Sequence, residues 1–528
     1  MGLRSMKIKL QLFLVVLILL NAEQVQAKQP NIVFIMVDDH AKNAISAYQG
    51  RLADVFKTPN IDSLAKRGVI LNGMYANNAV CTPSRAAILT GNYSHKNQVK
   101  TLADVLDPKS NNFAKELQHL GYQTAVIGKW HLKSEPSGFD YYNVLPNQGS
   151  YYDPKFKKKG IRWENGSHGG KKVNGYVTDI ITDMSIDWLR ERKKNKPFML
   201  MMQHKAPHGP WLAAKRHENL FNDVFIPEPE SLYERQTHGP TDAVIIDGKK
   251  GQQFGSSVSR RTEGRSIVSR MTESDWPTGS LELDTYDWEK VVSAGYQKYL
   301  KDYLRTLVAV DESVGQVVEY LRKNKLLDNT LIVYTSDQGM MLGEHDYYDK
   351  RWIYEESMSM PFIASLPGVI PEDSNSEALL MNIDIAPTLL QLAGKDSVDM
   401  QGKSFLSVLK EPVKSEGRNA VYYRYWMHMA HHFVPAHYGI RTKQYKLAFF
   451  YGLPLNANGA MPAATPPYWE MYDLKNDANE MNNIYSDKKY HDIREQLKEK
   501  LIQLKQDIGD TDIDYPVLRE LLALQVNK

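Results

Sequence analysis

Ile32-Val33-Phe34-Ile35-Met36-Val37 is an unbroken apolar run that stops at Asp38-Asp39-His40. A strand with one wet face alternates polar and apolar residues, whereas a strand covered on both faces does not. The run therefore points to a sheet with helices packed on each side. Similar runs occur at Gln123 to Ile127, Phe198 to Met202, Thr330 to Thr335 and Pro361 to Ala364. Helical periodicity lies between them, at Asn60 to Arg67, Phe113 to Leu120, Val177 to Glu191 and Leu300 to Lys323. This alternation predicts an α/β domain, a large doubly wound mixed or parallel sheet flanked by helices, over residues 28–416.

Asp242 to Ser280 interrupts the rhythm with Ser, Gly, Thr and Arg. So long a loop reads either as a solvated insertion or as a wall facing a substrate. After Gly417 the pattern changes again. Ala420 to Trp426, Tyr438 to Phe450 and Trp469 to Leu474 read as strands without long helices between them. Tyr490, Ile493, Leu497, Leu501, Leu504 and Ile508 then fall at helical steps. Residues 417–528 are thus expected to form a small antiparallel sheet with one packed helix.

The N-terminus is basic (Arg4, Lys7, Lys9), then apolar from Leu10 to Leu20, then closes on the small-residue stretch Val25-Gln26-Ala27. That is the pattern of a signal peptide over residues 1–27. The alternative is an N-terminal membrane anchor, for which the apolar run is short. No cysteine follows the run, so a lipid anchor there is excluded and no stable membrane anchor is expected. Cys81 is the one cysteine of 528 residues, which rules out an intrachain disulfide and a Cys-rich zinc site. A disulfide-free exported chain suits a bacterial periplasm, or secretion from such a cell. The charge balance, 65 basic against 62 acidic residues, argues against a dedicated nucleic-acid binder.

Asp38-Asp39 and Asp337-Gln338 each follow a buried strand. In open α/β sheets ligands collect at the carboxyl ends of strands. Brought together, three carboxylates and an amide would repel one another without a cation, and their hard oxygens favour Ca²⁺ or Mg²⁺. Lys129 and His131 share the stretch Gly128-Lys129-Trp130-His131; if it is extended, both side chains point to one face. His204, Lys205 and His208 follow another strand in a similar way. Cys81 precedes Thr82-Pro83, which reads as a helix N-cap and first helical position. That would set Cys81 at a helix N-terminus, where an anion is favoured.

Cys81-Thr82-Pro83-Ser84-Arg85 followed by Leu89-Thr90-Gly91 resembles the signature of the type I sulfatases. The similarity extends to Val37-Asp38-Asp39, Gly128 to His131, Lys205 to His208, Ser336 to Gly339, and Gly343-Glu344-His345 through Asp349-Lys350-Arg351 to Glu356. It implies that Cys81 is oxidised to formylglycine (3-oxoalanine) by a formylglycine-generating enzyme, and that the aldehyde hydrates to a diol. Asp38, Asp39, Asp337, Gln338 and residue 81 itself would hold one Ca²⁺ or Mg²⁺; many relatives carry Asn where Gln338 stands. Arg85 would hold the modified residue, and Lys129 and Lys350 the sulfate oxygens. His131 would be the base on the diol, and His208 the acid for the leaving sugar oxygen. His345 would lie near that oxygen. Within the family, the segments Gly138 to Tyr142, His204 to His208 and His437 to Thr442 resemble bacterial N-acetylglucosamine-6-sulfatases. This implies a sulfated glycan substrate of heparan or mucin type, with His437 and Arg441 as candidate sugar contacts; His437 reads equally as a packed histidine. The alternatives are a sulfatase for another glycan position, a phosphatase or phosphodiesterase on the same fold, and a non-catalytic sulfated-glycan binder. The phosphatase relatives usually use Ser or Thr where Cys81 stands, and a binder has no need of the acid cluster.

Overall fold

The computed structural model describes residues 29–233, 245–246, 249–250, 254–259, 264–396 and 399–526. The expected signal peptide, residues 1–27, lies outside them. In chain order the main sheet uses β1 (Asn31–Val37), β2 (Val69–Leu71), β3 (Gln123–Lys129), β4 (Tyr141–Leu145), β5 (Lys155–Lys158), β6 (Lys171–Lys172), β7 (Phe198–Gln203), β8 (Thr330–Ser336), β9 (Phe362–Ser365) and β10 (Ser374–Ser376). They lie in the order β10-β2-β9-β8-β1-β7-β3-β4-β5-β6. The central strands β8, β1, β7, β3 and β4 are parallel, while β9 and β5 run antiparallel beside them. The sheet is therefore mixed, with a parallel centre.

The apolar run in β1 feeds two cores. Val33, Ile35 and Val37 pack toward α1 (Pro59–Lys66), α4 (Val177–Glu191) and the long α6 (Trp288–Lys323). Ile32, Phe34 and Met36 pack toward α2 (Cys81–Thr90), α3 (Phe113–His119) and α7 (Ile385–Leu392). Helices on both faces are what remove the polar alternation from β1. α6 begins twelve residues before the expected Leu300, because Asp287 caps it by accepting from Glu289 N and Lys290 N. The described parts of the 242–280 segment are not a solvated insertion. Phe254, Val258, Ile267, Val268, Met271 and Trp276 are buried, and Ile267–Met271 forms a short helix, α5.

The smaller sheet consists of β11 (Ala420–Tyr425), β12 (His437–Thr442), β13 (Tyr445–Phe450) and β14 (Tyr468–Asp473), all antiparallel. The run Tyr438 to Phe450 is thus two strands with a turn between them. α8 (His491–Ile508) packs Leu497 and Leu501 into the same core. A second helix, α9 (Pro516–Val526), follows and was not expected from the sequence pattern. This core also includes Val80, Trp352 and Tyr354 of the larger unit. The Tyr423 hydroxyl accepts from Ala79 N (3.3 Å) and donates to the Arg351 carbonyl, so β11 braces both the start of α2 and the loop after residue 349.

Arg424 ties the C-terminal segment to this sheet. Its guanidinium lies 3.7 Å from the Trp426 ring centroid and bonds Asp510 (2.5 Å) and Asp512 (2.7 Å). Burial alone would raise the Asp510 carboxyl, but Arg424 and Lys505 outweigh it and hold it well below the usual carboxylate range. Arg424→Ala strands two buried carboxylates and should lower unfolding stability by about 3–5 kcal/mol, read as a shifted urea midpoint. A shift under about 1 kcal/mol, the ordinary size for a surface ion pair, would contradict this role.

Candidate active site

Parallel pairing of β1 with β8 matches Val37 to Ser336, so Asp38-Asp39 and Asp337-Gln338 emerge side by side. Asp39 N donates to Asp337 Oδ1 at 3.2 Å. Oxygens of Asp38, Asp39 and Asp337 lie within 4.8 Å of one another, all buried. Cations surround them. Arg85 Nε donates to Asp337 Oδ2 (2.9 Å), and its Nη1 holds the Lys129 carbonyl (2.6 Å) and Gln203 Oε1 (2.9 Å). Lys129 Nζ bonds Asp38 Oδ2 and Gln148, and Lys350 Nζ bonds Asp39 Oδ2 at 2.5 Å. Burial pushes the Asp39 carboxyl up to about 6, with Lys350 opposing and Asp337 reinforcing the shift.

The donor set fits a hard divalent cation. Asp38 Oδ1 and Gln338 Oε1 are buried without a hydrogen-bond partner, the state expected of oxygens meant for a metal. Gln338 Nε2 donates to Asp39 Oδ1; turning the amide over would bring Oε1 to the carboxylates instead. Gly339 follows at a point of close approach: a Cβ there would stand 2.1 Å from the Glu356 carbonyl oxygen.

Cys81 is the first residue of α2, and Val80, extended at φ −140°, precedes the helix without a side-chain cap. Thr82 is therefore not the N-cap. Its hydroxyl instead donates to the His131 carbonyl at 3.0 Å, and Pro83, within the first turn, costs no intrahelical bond. Cys81 Sγ lies 3.9 Å from Asp39 Oδ1. Burial pushes its thiol far up, against the pull of Lys350. A thiol held protonated is a poor nucleophile, so the position is unsuited to thiolate chemistry.

β3 ends at Lys129, and His131 takes φ 57°. The stretch is therefore not extended to His131, although both side chains reach the site. His131 Nδ1 is 3.4 Å from Thr82 Oγ1. Burial, then Lys129 and Arg85, hold its pKa well below the usual imidazole range. His208 Nε2 is 3.8 Å from Asp39 Oδ2, and its Nδ1 lies 2.8 Å from the Gly209 carbonyl. A carbonyl only accepts, so Nδ1 carries a proton and Nε2 faces the cluster. Burial, Lys129, Lys350 and Lys205 lower the His208 pKa strongly. His204 is buried against Ser313 (3.2 Å) and plays a packing role. The Lys205 ammonium lies 4.9 Å from the Tyr151 ring centroid.

These groups open into a cleft of about 340 Å³. Cys81, Asp39, Lys350 and His208 form its inner end. Asp349, Arg351 and His432 form a polar side, with Arg351 Nε 3.1 Å and His432 Nε2 3.4 Å from Asp349. Asp349 and Arg351 take φ 90° and 93°, a sparsely populated backbone region for non-glycine residues and one that clusters at functional sites. Three expected contacts do not line the cleft. His345 packs on Tyr354 with ring centroids 5.4 Å apart. His437 is fully buried, stacked on Phe450 at 4.4 Å, and its Nδ1 bonds the Pro435 carbonyl (2.7 Å). Arg441 is held by Glu355 at 3.2 Å and lies over Tyr75. Sequence reasoning assigned no role to Asp349, Arg351, His432 or Gln148. The first two flank Lys350 at alternate positions, which was the available signal.

Comparison with known proteins agrees with this geometry. The model of the family described as Sulfatase matches residues 30–395, and that of N-sulphoglucosamine sulphohydrolase, C-terminal, matches 343–507. An N-acetylglucosamine-6-O-sulfatase of Bacteroides thetaiotaomicron is 40% identical over 521 residues, 94% of this chain and 89% of that protein. An N-acetylglucosamine-6-sulfatase of Capra hircus is 29% identical, over 73% of this chain and 64% of the relative. A solved structure of a protein bound to its substrate D-glucosamine-2-N,6-O-disulfate superposes with a TM-score of 0.78 at 38% identity, covering 92% of this chain and 100% of that one. The acid cluster, the cysteine at the start of α2 and these matches together place the chain in the sulfatase family of sulfuric ester hydrolases.

Proposed function

We propose that the protein removes sulfate from sulfated carbohydrate, with 6-O-sulfated N-acetylglucosamine of heparan-type or mucin glycans as its substrate. The observation that carries the chemistry is Cys81 at the first turn of α2, facing three buried carboxylates that are themselves held by Lys129, Lys350 and Arg85. The sugar assignment is supported by the 6-sulfated glucosamines named for the relatives above. In this reading the mature chain is exported, its residue 81 is matured by a formylglycine-generating enzyme, and residues 28–416 and 417–528 are its catalytic and C-terminal units.

Ca²⁺ or Mg²⁺, held by Asp38, Asp39, Asp337 and Gln338, supplies positive charge to the sulfate ester and to residue 81. Formylglycine at position 81 supplies a hydrated aldehyde as the oxygen nucleophile. The other groups act from where the fold puts them. Arg85 fixes Asp337 and the end of β3. Lys129 and Lys350 offer N–H donors to the sulfate oxygens, where charge grows in the transition state. His131, kept neutral by burial and by its cationic neighbours, is fitted to take a proton from residue 81. His208 directs Nε2 at the inner end of the cleft and, protonated there, donates to the departing sugar oxygen. The cleft side formed by Asp349, Arg351 and His432 offers polar atoms to the hydroxyls of a sugar, where an unmade hydrogen bond discriminates strongly.

The direct test is release of sulfate from N-acetylglucosamine 6-sulfate. Cys81→Ala should abolish it with the fold intact, since a small residue replaces a small one; retained turnover would refute the reading. Asp337→Ala should lose bound Ca²⁺ or Mg²⁺ and activity together, measured by elemental analysis beside the assay. Zinc as the sole metal of active wild-type protein would overturn the ligand assignment. His208→Ala should slow sugar sulfates by about 10²–10⁴-fold but aryl sulfates far less, because an aryl oxide leaves with little help from a proton. Equal loss on both would contradict its role as acid.

A further inference from the structure

One wall of the cleft carries charge that the chemistry above leaves unused. It comes from the part of the 242–280 segment that follows residue 263. Ser266 caps α5 by accepting from Ser269 N (3.1 Å), and Ile267, Val268 and Met271 are buried beneath it. α5 sits tightly on α6: a Cβ at Gly295 would stand 2.4 Å from Val268 Cγ2. Arg265 and Arg270, one just before this short helix and one within it, are thereby held on a fixed support. Both line the same cleft as Cys81 and Lys350. The Arg270 guanidinium lies 5.2 Å from the Trp276 ring centroid. Stacking of this kind orders a guanidinium while leaving its N–H donors free.

The matching of charges around the cleft is uneven. Lys350 is held by Asp39, and Arg351 by Asp349. Among the described residues, no carboxylate lies within ion-pair distance of Arg265 or Arg270. The scissile sulfate is taken by the lysines at the inner end. Two guanidinium groups at the wall then face the rest of the sugar without an anion.

We propose that Arg265 and Arg270 form a subsite for a second anionic group of the substrate, carried on the sugar that bears the scissile sulfate or on its neighbour. This rests on the sulfated-glucosamine reading above. The groups that fit are an N-sulfate or a uronate carboxylate. Both present several anionic oxygens to the forked donors of arginine, which a single lysine matches less well. An N-acetyl group offers one neutral carbonyl oxygen and satisfies neither the charge nor the second donor. The two arginines therefore set a preference for doubly charged over singly charged substrate. Trp211 and Trp276, tilted at 48° with centroids 6.2 Å apart, add an aromatic surface to the same cleft for the apolar face of a sugar ring.

The test compares wild-type protein with the Arg265→Gln/Arg270→Gln double variant on three probes. These are N-acetylglucosamine 6-sulfate, glucosamine 2-N,6-O-disulfate, and a disaccharide joining 6-sulfated N-acetylglucosamine to a uronate. Wild type should favour at least one doubly charged probe by about tenfold or more in kcat/KM, the size expected of a charged hydrogen bond. In the double variant that ratio should fall to within about threefold, chiefly through KM. Added salt should shrink the wild-type ratio in the same direction, a readout that does not depend on the variant folding. Loss confined to the disulfate assigns the subsite to an N-sulfate; loss confined to the disaccharide assigns it to a carboxylate. A wild type without preference, or a preference that survives both substitutions, overturns the subsite while leaving the glucosamine reading standing. Failure of wild type to release sulfate from any of the three probes overturns that reading and the subsite with it.

Discussion

Parallel pairing of β1 with β8 forces three carboxylates into one buried place, and the surrounding structure answers that crowding. Like charges this close and this dry cannot all remain ionised without positive charge beside them. The chain supplies Lys129 from the end of β3, Lys350 from the loop after β8 and Arg85 from α2. Even so, two buried oxygens, Asp38 Oδ1 and Gln338 Oε1, are left over. A divalent cation completes the set, and the same charges that balance the acids are then poised to receive the oxygens of a sulfate ester.

The precision of this arrangement comes from supports outside the cluster. α2 begins at Cys81 because Val80 is locked in the core shared with the smaller sheet, and Tyr423 bonds both Ala79 and Arg351. The C-terminal unit thus fixes the nucleophile position and one side of the cleft at once. Left-handed backbone at Asp39, His131, Asp349 and Arg351 sends side chains of adjacent residues to places that regular strand or helix would not reach. Such conformations persist only where neighbouring contacts over-determine them, which is the condition the smaller sheet provides.

Much of this was legible in the sequence, for identifiable reasons. The apolar run of β1 had to be covered on both faces, and the acid pairs had to follow the strands. Elsewhere local rules met tertiary competition. Thr82 has the chemistry of an N-cap, but its hydroxyl is claimed by the His131 carbonyl. His437 and Arg441 belong to a segment that resembles a substrate contact, yet aromatic stacking and Glu355 hold them inside the smaller unit. The 242–280 segment shows little periodicity because it packs isolated apolar residues from short irregular stretches, so its cleft wall was invisible until Arg265 and Arg270 were placed in space. α9 escaped notice because its apolar residues follow a turn where no strong stop or start signal separates it from α8.

The account stands on residue 81. Its thiol is buried and held protonated, so the cysteine that the sequence encodes is not the group that attacks. The most direct measurement is the mass of the peptide containing position 81, taken from active protein made in its native host. Formylglycine predicts that the thiol is replaced by an aldehyde, which reacts with hydrazide or hydroxylamine reagents. Active protein whose peptide retains an unmodified cysteine throughout would contradict the account.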